Sequence, residues 1–337
     1  MGAPVTTASA TTLFFAGAAV SLASSWIVVS RIERVGGRLG ASEALLGLVS
    51  ALAADAPEIT SSVSALLQHH GDVGAGVVIG SNVFNLAALL GIGSVVAGFV
   101  ALHRKVVVFE GVIALWVALA CALTVAGLVG PLLGLVIVLV VLVPYAALAA
   151  LDRSAWWRRP GPSRWRRWLV RAVEEEELEL RATIHPRRAK SLDVLVAGVS
   201  LVVVVVASVL MEHSATFLGT RLAVPGIVVG AVVLAAVTSL PNMVAAIYWA
   251  RRGRGMAMLS TALNSNALNV AAGLLLPAVL LGFGHRSSQE TLVVVWYGGL
   301  TAVVLVLAYV SAGLRRGAGW LIIGAYVAFI AVVVAVS

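Results

Sequence analysis

Two carboxylates lie close together in a segment that is otherwise apolar enough to enter a lipid bilayer. Asp55 and Glu58 are three residues apart around Pro57, and that spacing places both side chains on one face of a helix. A charged side chain at the centre of a bilayer costs about 2.5–3.5 kcal/mol on insertion scales, so buried acids there usually serve a function. This pair is the first candidate for a functional site.

Neutral oxygen-bearing side chains occur at helical spacing elsewhere in the chain. The pairs are Ser81 and Asn85, Thr238 and Asn242, and Ser265 and Asn269, with Ser239 beside the second pair. Carboxylate, amide and hydroxyl oxygens suit hard cations such as Na⁺, Ca²⁺ or Mg²⁺, and no thiolate or membrane-embedded His offers itself for a softer metal. The pattern therefore predicts an exchangeable Na⁺ or Ca²⁺ site centred on Glu58 and Asp55. It predicts no catalytic residue.

The composition is that of a polytopic membrane protein. Of the 337 residues, 61% are hydrophobic and only 11% charged, whereas soluble domains carry about 25% charged residues. A span needs about 20 mostly apolar residues, and this rule gives ten segments. They are residues 11–30, 41–67, 74–101, 106–127, 130–151, 192–211, 222–250, 256–283, 291–312 and 318–336. The second, third, seventh and eighth are rich in Gly, Pro, Ser, Thr and Asn, which predicts broken or closely packed helices.

The distribution of basic residues predicts the orientation of the chain. Five loops on one side of the ten spans hold 21 of the 23 Lys and Arg residues, 11 of them in loop 152–191. That side should be cytoplasmic, with both termini outside, in a multi-pass protein of the cell membrane. The net charge of +8 then reflects topology, so the expected partners are the lipid bilayer and small cations, with no nucleic acid. No oligomeric state follows from the sequence.

Loop 152–191 interleaves tryptophans with arginines and then carries an acidic run. Two interpretations remain open for it. It is either an amphipathic segment on the anionic inner leaflet or a topology-setting loop with one short helix.

The chain contains an internal repeat at an offset of 184 residues. Without a gap, "ADAPEITSS" at 54–62 aligns with "TSLPNMVAA" at 238–246, and "GSNVFN" at 80–85 aligns with "NSNALN" at 264–269. Pro57 then matches Pro241, and each should break its helix and free a carbonyl about one turn earlier.

Five spans per half would place the second half upside down in the membrane, as in many secondary transporters. We therefore predict an all-α integral membrane protein of about ten transmembrane helices, arranged as two inverted five-helix repeats. The first repeat is 1–151, with motif helices in 41–101. The second is 192–337, with motif helices in 222–283, and the loop 152–191 joins them.

The motifs "ADAPE", "GSNVFN", "TSLPN" and "NSNALN" resemble the two alpha-repeats of the cation/calcium exchanger superfamily, which includes the sodium/calcium exchangers. The resemblance implies alternating access by repeats that slide past one another around a bound cation. It also implies cation-binding roles for Glu58, Ser81, Asn85, Thr238, Ser239, Ser265 and Asn269. The residues themselves add Asp55 and Asn242 to this predicted set, and the absence of a nucleotide-binding motif makes a Na⁺ or H⁺ gradient the expected driving force.

The second repeat departs from the family pattern. Asn242 stands where the family has its second acid, and Ala54 and Asp55 replace a Thr and a Ser in the first repeat. The site would thus draw both acids from one repeat. Asn82 and Asn266 are expected to join helices rather than to touch the ion. Glu110 is expected to be an interfacial charge.

Two alternatives to a cation antiporter follow from the same residues. Asp55 and Glu58 are also a plausible acid/base pair for a membrane-embedded enzyme, and the loss of the second acid also fits a non-transporting homologue. No nucleotide-binding motif of the GxxxxGK[ST] type occurs. No cofactor is expected beyond the transported cations Na⁺, Ca²⁺ or H⁺.

Sided labelling tests the predicted topology. In a Cys121→Ala background, Ser163→Cys should react with a membrane-impermeant maleimide only from the cytoplasmic face, because it lies in the most basic loop. Thr6→Cys should react only from outside. Labelling of both positions from the same face would contradict the prediction.

Overall fold

The computed structural model describes residues 6–39, 49, 51–150, 191–282 and 287–337. Almost all of these residues are helical. The helices are α1 (Thr7–Leu39), α2 (Ala56–Leu67), α3 (Gly71–Ala97), α4 (Arg104–Val125), α5 (Pro131–Ala150), α6 (Ser191–Arg221), α7 (Gly226–Thr238), α8 (Leu240–Ala250), α9 (Gly255–Leu281), α10 (Ser288–Val310) and α11 (Arg316–Val336). Residues 152–190 of the predicted cytoplasmic loop lie outside the described ranges.

Within these ranges, seven helices are long and apolar enough to cross a membrane. An eighth span results if α7 and α8, which meet at an angle of 45°, are counted together. The helix at Pro131–Ala147 is apolar but shorter, and the second predicted span lies partly outside the described residues. The fold class of an all-α multi-pass membrane protein is confirmed, whereas the number of ten spans stays a prediction.

Two short strands were not predicted. β1 (Phe99–Ala101) pairs antiparallel with β2 (Gly313–Arg315), with Val100 opposite Leu314. The strands lie in the brief connections between α3 and α4 and between α10 and α11. The pairing gives hydrogen-bond partners to backbone N–H and C=O groups that lie beyond the ends of these helices and have none within them.

The offset of 184 residues reappears in the helix boundaries. α1, α2, α3 and α4 each begin 184 residues before α6, α8, α9 and α10 respectively. Similar elements therefore begin at corresponding positions in both halves, as expected if each half folds by the same local rules.

The helices that carry the motifs are irregular, as their composition predicted. The backbone leaves the helical region at Asp55 (φ −82°, ψ 0°) and at Ser239 (φ −87°, ψ 4°), immediately before α2 and α8. π-helical segments interrupt α3 at Leu86–Ile92, α7 at Val229–Leu234 and α9 at Asn269–Leu275. Such segments are frequent at functional sites, because they re-aim side chains within an otherwise continuous helix.

The two central prolines lie directly after the expected helix breaks, and the carbonyl of Ala53, one turn before Pro57, accepts a hydrogen bond from Ser25 Oγ at 3.4 Å. Pro57 and Pro241 each lie at the first or second position of the helix that follows the break. Proline is well tolerated there, since the first turn needs no backbone donor. The breaks occur two residues earlier, and the prolines start the new helices.

Helix α3 lies at the centre of the bundle, packed closely against α7. A methyl group added at Gly80 would lie 2.4 Å from the carbonyl oxygen of Ala231, and one added at Gly230 would lie 2.3 Å from that of Val73. Small residues allow membrane helices to approach this closely. The contact fixes α3, which carries Ser81 and Asn85, against the second half of the chain.

Replacement of one of these glycines tests the packing. Gly80→Ala should lower the stability of the detergent-solubilised protein by about 1–3 kcal/mol, because the added methyl group cannot be accommodated without a backbone shift. Gly324→Ala is the matched control, since a methyl group there meets no atom within 4 Å. Equal melting temperatures for the two variants would show that α3 and α7 are not in this contact.

Candidate cation-binding site

Both acids of the first motif are completely buried. Asp55 occupies the break before α2, and Glu58 lies in the first turn of that helix. The exposed amides of a helix N-terminus favour nearby negative charge, which gives one reason why the break accompanies the acids.

Each acid accepts a hydrogen bond from a hydroxyl group of the other half of the chain. Ser239 Oγ donates to Glu58 Oε1 at 2.9 Å, and Ser265 Oγ donates to Asp55 Oδ1. Ser239 lies at the break between α7 and α8, and Ser265 lies in α9. The site is therefore assembled from both halves, with the carboxylates contributed by one of them and these hydroxyls by the other.

A network of amides joins the remaining motif residues. Asn242 Nδ2 donates to Asn85 Oδ1 at 2.9 Å, and Asn85 Nδ2 donates to Asn266 Oδ1 at 3.1 Å and to Ser265 Oγ at 3.4 Å. Asn85 thus connects Asn242 with the hydroxyl that reaches Asp55.

Asn82 and Asn266 make a reciprocal contact. Asn82 Nδ2 donates to the backbone oxygen of Asn266, and Asn266 Nδ2 donates to the backbone oxygen of Asn82, both at 3.1 Å. The two residues correspond at the offset of 184. A reciprocal contact of this kind between equivalent residues is typical of a two-fold axis. The geometry agrees with their expected role of joining helices.

Several buried oxygen atoms in this region accept or donate no hydrogen bond. They are Asp55 Oδ2, Glu58 Oε2, Ser61 Oγ, Ser81 Oγ and Asn269 Oδ1. A buried polar atom without a partner costs about 1–3 kcal/mol, and more if it is charged. Carboxylate, hydroxyl and amide oxygens left without partners are the donor set that a hard cation requires. The residues present therefore fit a Na⁺ or Ca²⁺ ion.

Of the remaining predicted residues, Thr238 points back to its own helix. Its hydroxyl donates to the carbonyl oxygens of Leu234 at 3.0 Å and Ala235 at 3.3 Å. Asn269 Nδ2 donates to Asn82 Oδ1 at 3.3 Å, so Asn269 belongs to the network. In this conformation, the hydroxyl of Thr238 is directed away from the acids.

Most of the chain matches a family of known proteins. The profile of the family described as sodium/calcium exchanger protein matches residues 9–151 and 192–335, which is well over half of the chain. The chain belongs to the sodium/calcium exchanger protein family. The predicted membership in the cation/calcium exchanger superfamily is confirmed.

Individual relatives agree with this assignment. The chain is 30% identical over 162 residues to the sodium/potassium/calcium exchanger Nckx30C of Drosophila melanogaster, covering 46% of this chain and 18% of the relative. It is 25% identical over 225 residues to the inner membrane protein YrbG of Escherichia coli, covering 66% and 65%. The matches of 30% identity or more span less than a third of those relatives' length.

A solved structure of the sodium-calcium exchanger NCX_Mj, from crystals soaked with 100 mM Na⁺ and 10 mM Sr²⁺, has a similar fold. The TM-score is 0.63 at 19% sequence identity, over 97% of this chain and 99% of that one. At this level of identity the likeness shows the fold alone.

Sequence reasoning missed three buried polar residues of this exchanger-family protein. Glu110 is only 2% exposed and accepts a hydrogen bond from Ser260 of α9, so the expectation of an interfacial charge was wrong. Glu212 is fully buried in α6 and accepts from Ser64 at 2.7 Å and from other donors. Ser61, one turn after Glu58, was not predicted, although its i, i+3 spacing from Glu58 was a usable signal.

Clusters typical of other metals are absent from the described part of the chain. No group of three or more His, Cys, Asp or Glu residues is arranged there to hold a metal ion. The coordination of any cation bound by Asp55 and Glu58 would therefore be completed by neutral oxygen atoms.

Alanine substitutions test the reciprocal amide contact. Asn82→Ala and Asn266→Ala each remove one of the two hydrogen bonds, because each side chain donates to the backbone oxygen of the other residue. Each variant should therefore have a lower melting temperature than the wild type, with a loss of about 0.6–1.7 kcal/mol, the range for polar contacts between membrane helices. A wild-type melting temperature for both variants would contradict the contact.

Proposed function

We propose that this protein is a secondary active cation antiporter that binds its cation between Asp55 and Glu58. The observation that carries the proposal is that both carboxylates are fully buried, while one oxygen of each has no hydrogen-bond partner. Buried acids without a compensating charge are strongly unfavourable. A cation that enters and leaves the site removes this penalty whenever it is bound.

The donor set defines the class of cation. Glu58 and Asp55 supply the negative charge, and Ser81, Asn85 and Asn269 are the proposed neutral oxygens near them. Two carboxylates balance one Ca²⁺, two Na⁺ or two protons. Ca²⁺ accepts such oxygen ligands at about 6–8 positions in flexible geometry, which fits a site that has to be emptied in every cycle.

The division of the site between the two halves supports alternating access. Both acids belong to the first half, whereas the hydroxyls of Ser239 and Ser265 that bind them belong to the second. A displacement of one half relative to the other would exchange these hydroxyls for other partners and change the affinity for the cation. Transporters built from inverted repeats hold their ions at such an interface near the membrane midplane.

The driving force in this proposal is a Na⁺ or H⁺ gradient. Two carboxylates that repel each other in a poorly hydrated site also bind protons, so that H⁺ competes with the cation. Enzymatic use of Asp55 and Glu58 as an acid/base pair, or a homologue without transport, would give no cation flux. The experiment below therefore separates these alternatives from the antiporter.

Flux measurements with single imposed gradients test the function. Reconstituted wild-type protein should take up ⁴⁵Ca²⁺ when an outward Na⁺ or H⁺ gradient is imposed across the vesicle membrane. It should likewise take up ²²Na⁺ when an outward Ca²⁺ or H⁺ gradient is imposed. Glu58→Gln should reduce the uptake at least about 100-fold, because loss of one buried charge partner costs about 3 kcal/mol or more.

Asp72→Asn is the matched control, since it neutralises a partly buried acid outside the site. It should retain wild-type uptake. Uptake by the Glu58→Gln variant at the wild-type rate, or no coupled flux of any of these ions in the wild type, would refute the proposal.

A further inference from the structure

The two ends of the site are related by the duplication but differ in charge. At the offset of 184, Asp55 corresponds to Ser239 and Ser81 corresponds to Ser265. The residues equivalent to Asp55 and Ser265, which are hydrogen-bonded to each other, are therefore Ser239 and Ser81. The first pair contains a carboxylate and a hydroxyl, whereas the second contains two hydroxyls.

The hydrogen bonds preserve this difference. Ser265 is committed to the Asp55 carboxylate. Its counterpart Ser81 is fully buried, and its hydroxyl has no partner. Ser239, the counterpart of Asp55, donates instead to Glu58. The site therefore has one charged flank, Asp55 with Ser265, and one neutral flank, Ser239 with Ser81.

The course of the chain assigns each flank to a side of the membrane. Helix α2 follows the basic segment 31–40, so Asp55 lies on that side of Glu58, displaced by about 4.5 Å along the helix. Helix α8 runs the opposite way, toward the basic residues of segment 251–254. Ser239, at the start of α8, thus lies farther from the predicted cytoplasmic face than Asn242.

We propose that Asp55 gives the site different cation affinities at the two faces of the membrane. A cation arriving from the cytoplasmic face meets the charged flank first, whereas one arriving from outside meets the neutral flank first. The inference rests on the proposed antiport function and specifies how the same site is loaded. The half-saturating cation concentration should then be lower at the cytoplasmic face than at the outer face.

This difference needs no energy source. The protein can bind the cation more tightly in its inward-open than in its outward-open conformation without any input of energy. The equilibrium between these two conformations then differs between the loaded and the empty protein by the same factor, as linkage requires. The carboxylate at position 55 therefore sets the ratio of the two half-saturating concentrations without changing the direction in which the overall gradient drives exchange.

A charge-transposition experiment tests the proposal. Proteoliposomes contain the protein in two orientations, so one orientation is inactivated with a membrane-impermeant thiol reagent that reacts with a Cys introduced at one face. The half-saturating concentrations of Ca²⁺ and of Na⁺ are then measured for each face separately. The variants are Asp55→Ser, Ser239→Asp and the double variant Asp55→Ser/Ser239→Asp, which keeps two acids but moves one to the neutral flank.

Asp55→Ser should raise the half-saturating concentration at the cytoplasmic face at least tenfold more than at the outer face. The double variant should reverse the wild-type ratio, so that the outer face binds more tightly. Asp72→Asn should leave the ratio unchanged. If Asp55→Ser does not fold, as judged by its melting curve, Asp55→Asn provides the same comparison because it removes the charge and keeps the side-chain size.

Two results would overturn the inference, and they differ in what they mean for the function. Equal shifts at both faces, or a double variant that retains the wild-type ratio, would show that Asp55 does not determine sidedness, while antiport itself stands. Absence of coupled flux in the wild type would refute both the antiport function and the inference that rests on it.

Discussion

The buried negative charge of Asp55 and Glu58 is the constraint on which the remaining features of this protein depend. Each carboxylate accepts one hydrogen bond from a serine of the other half, and each keeps one oxygen without a partner. Neutral hydroxyls satisfy part of the hydrogen-bonding demand but would leave the charge of an ionised carboxylate uncompensated. In the proposed function, an exchangeable positive ion or a proton completes the site.

The duplicated architecture provides the means to hold such a site. Breaks at Asp55 and Ser239 place helix N-termini inside the bundle, and the reciprocal contact of Asn82 with Asn266 joins the halves at equivalent residues. Close packing at Gly80 brings α3 against α7. Because these contacts connect the two halves around the acids, a shift between the halves would alter the environment of a cation bound there.

Much of this arrangement could be predicted from the sequence, because it depends on local patterns. Apolar length marked the helices, the prolines within the ungapped repeat marked both breaks, and the repeat identified Asn82 and Asn266 as equivalent residues expected to join helices. Predictions failed where the outcome depends on which side of a helix faces a neighbour. Hydropathy placed Glu110 at an interface, yet its carboxylate packs against Ser260. The pairing of β1 with β2 likewise depends on tertiary contacts that a single sequence does not encode locally.

The most direct test of the central claim is a high-resolution crystal structure of the protein grown in Na⁺ and soaked with Sr²⁺ as a Ca²⁺ surrogate, with anomalous diffraction recorded for strontium. The account predicts a bound cation that contacts Glu58 Oε2 and Asp55 Oδ2, at about 2.3–2.6 Å for a calcium-like ion, and no anomalous peak there in Glu58→Gln. A structure in which both oxygens contact only protein donors or water, although either cation is present, would contradict it.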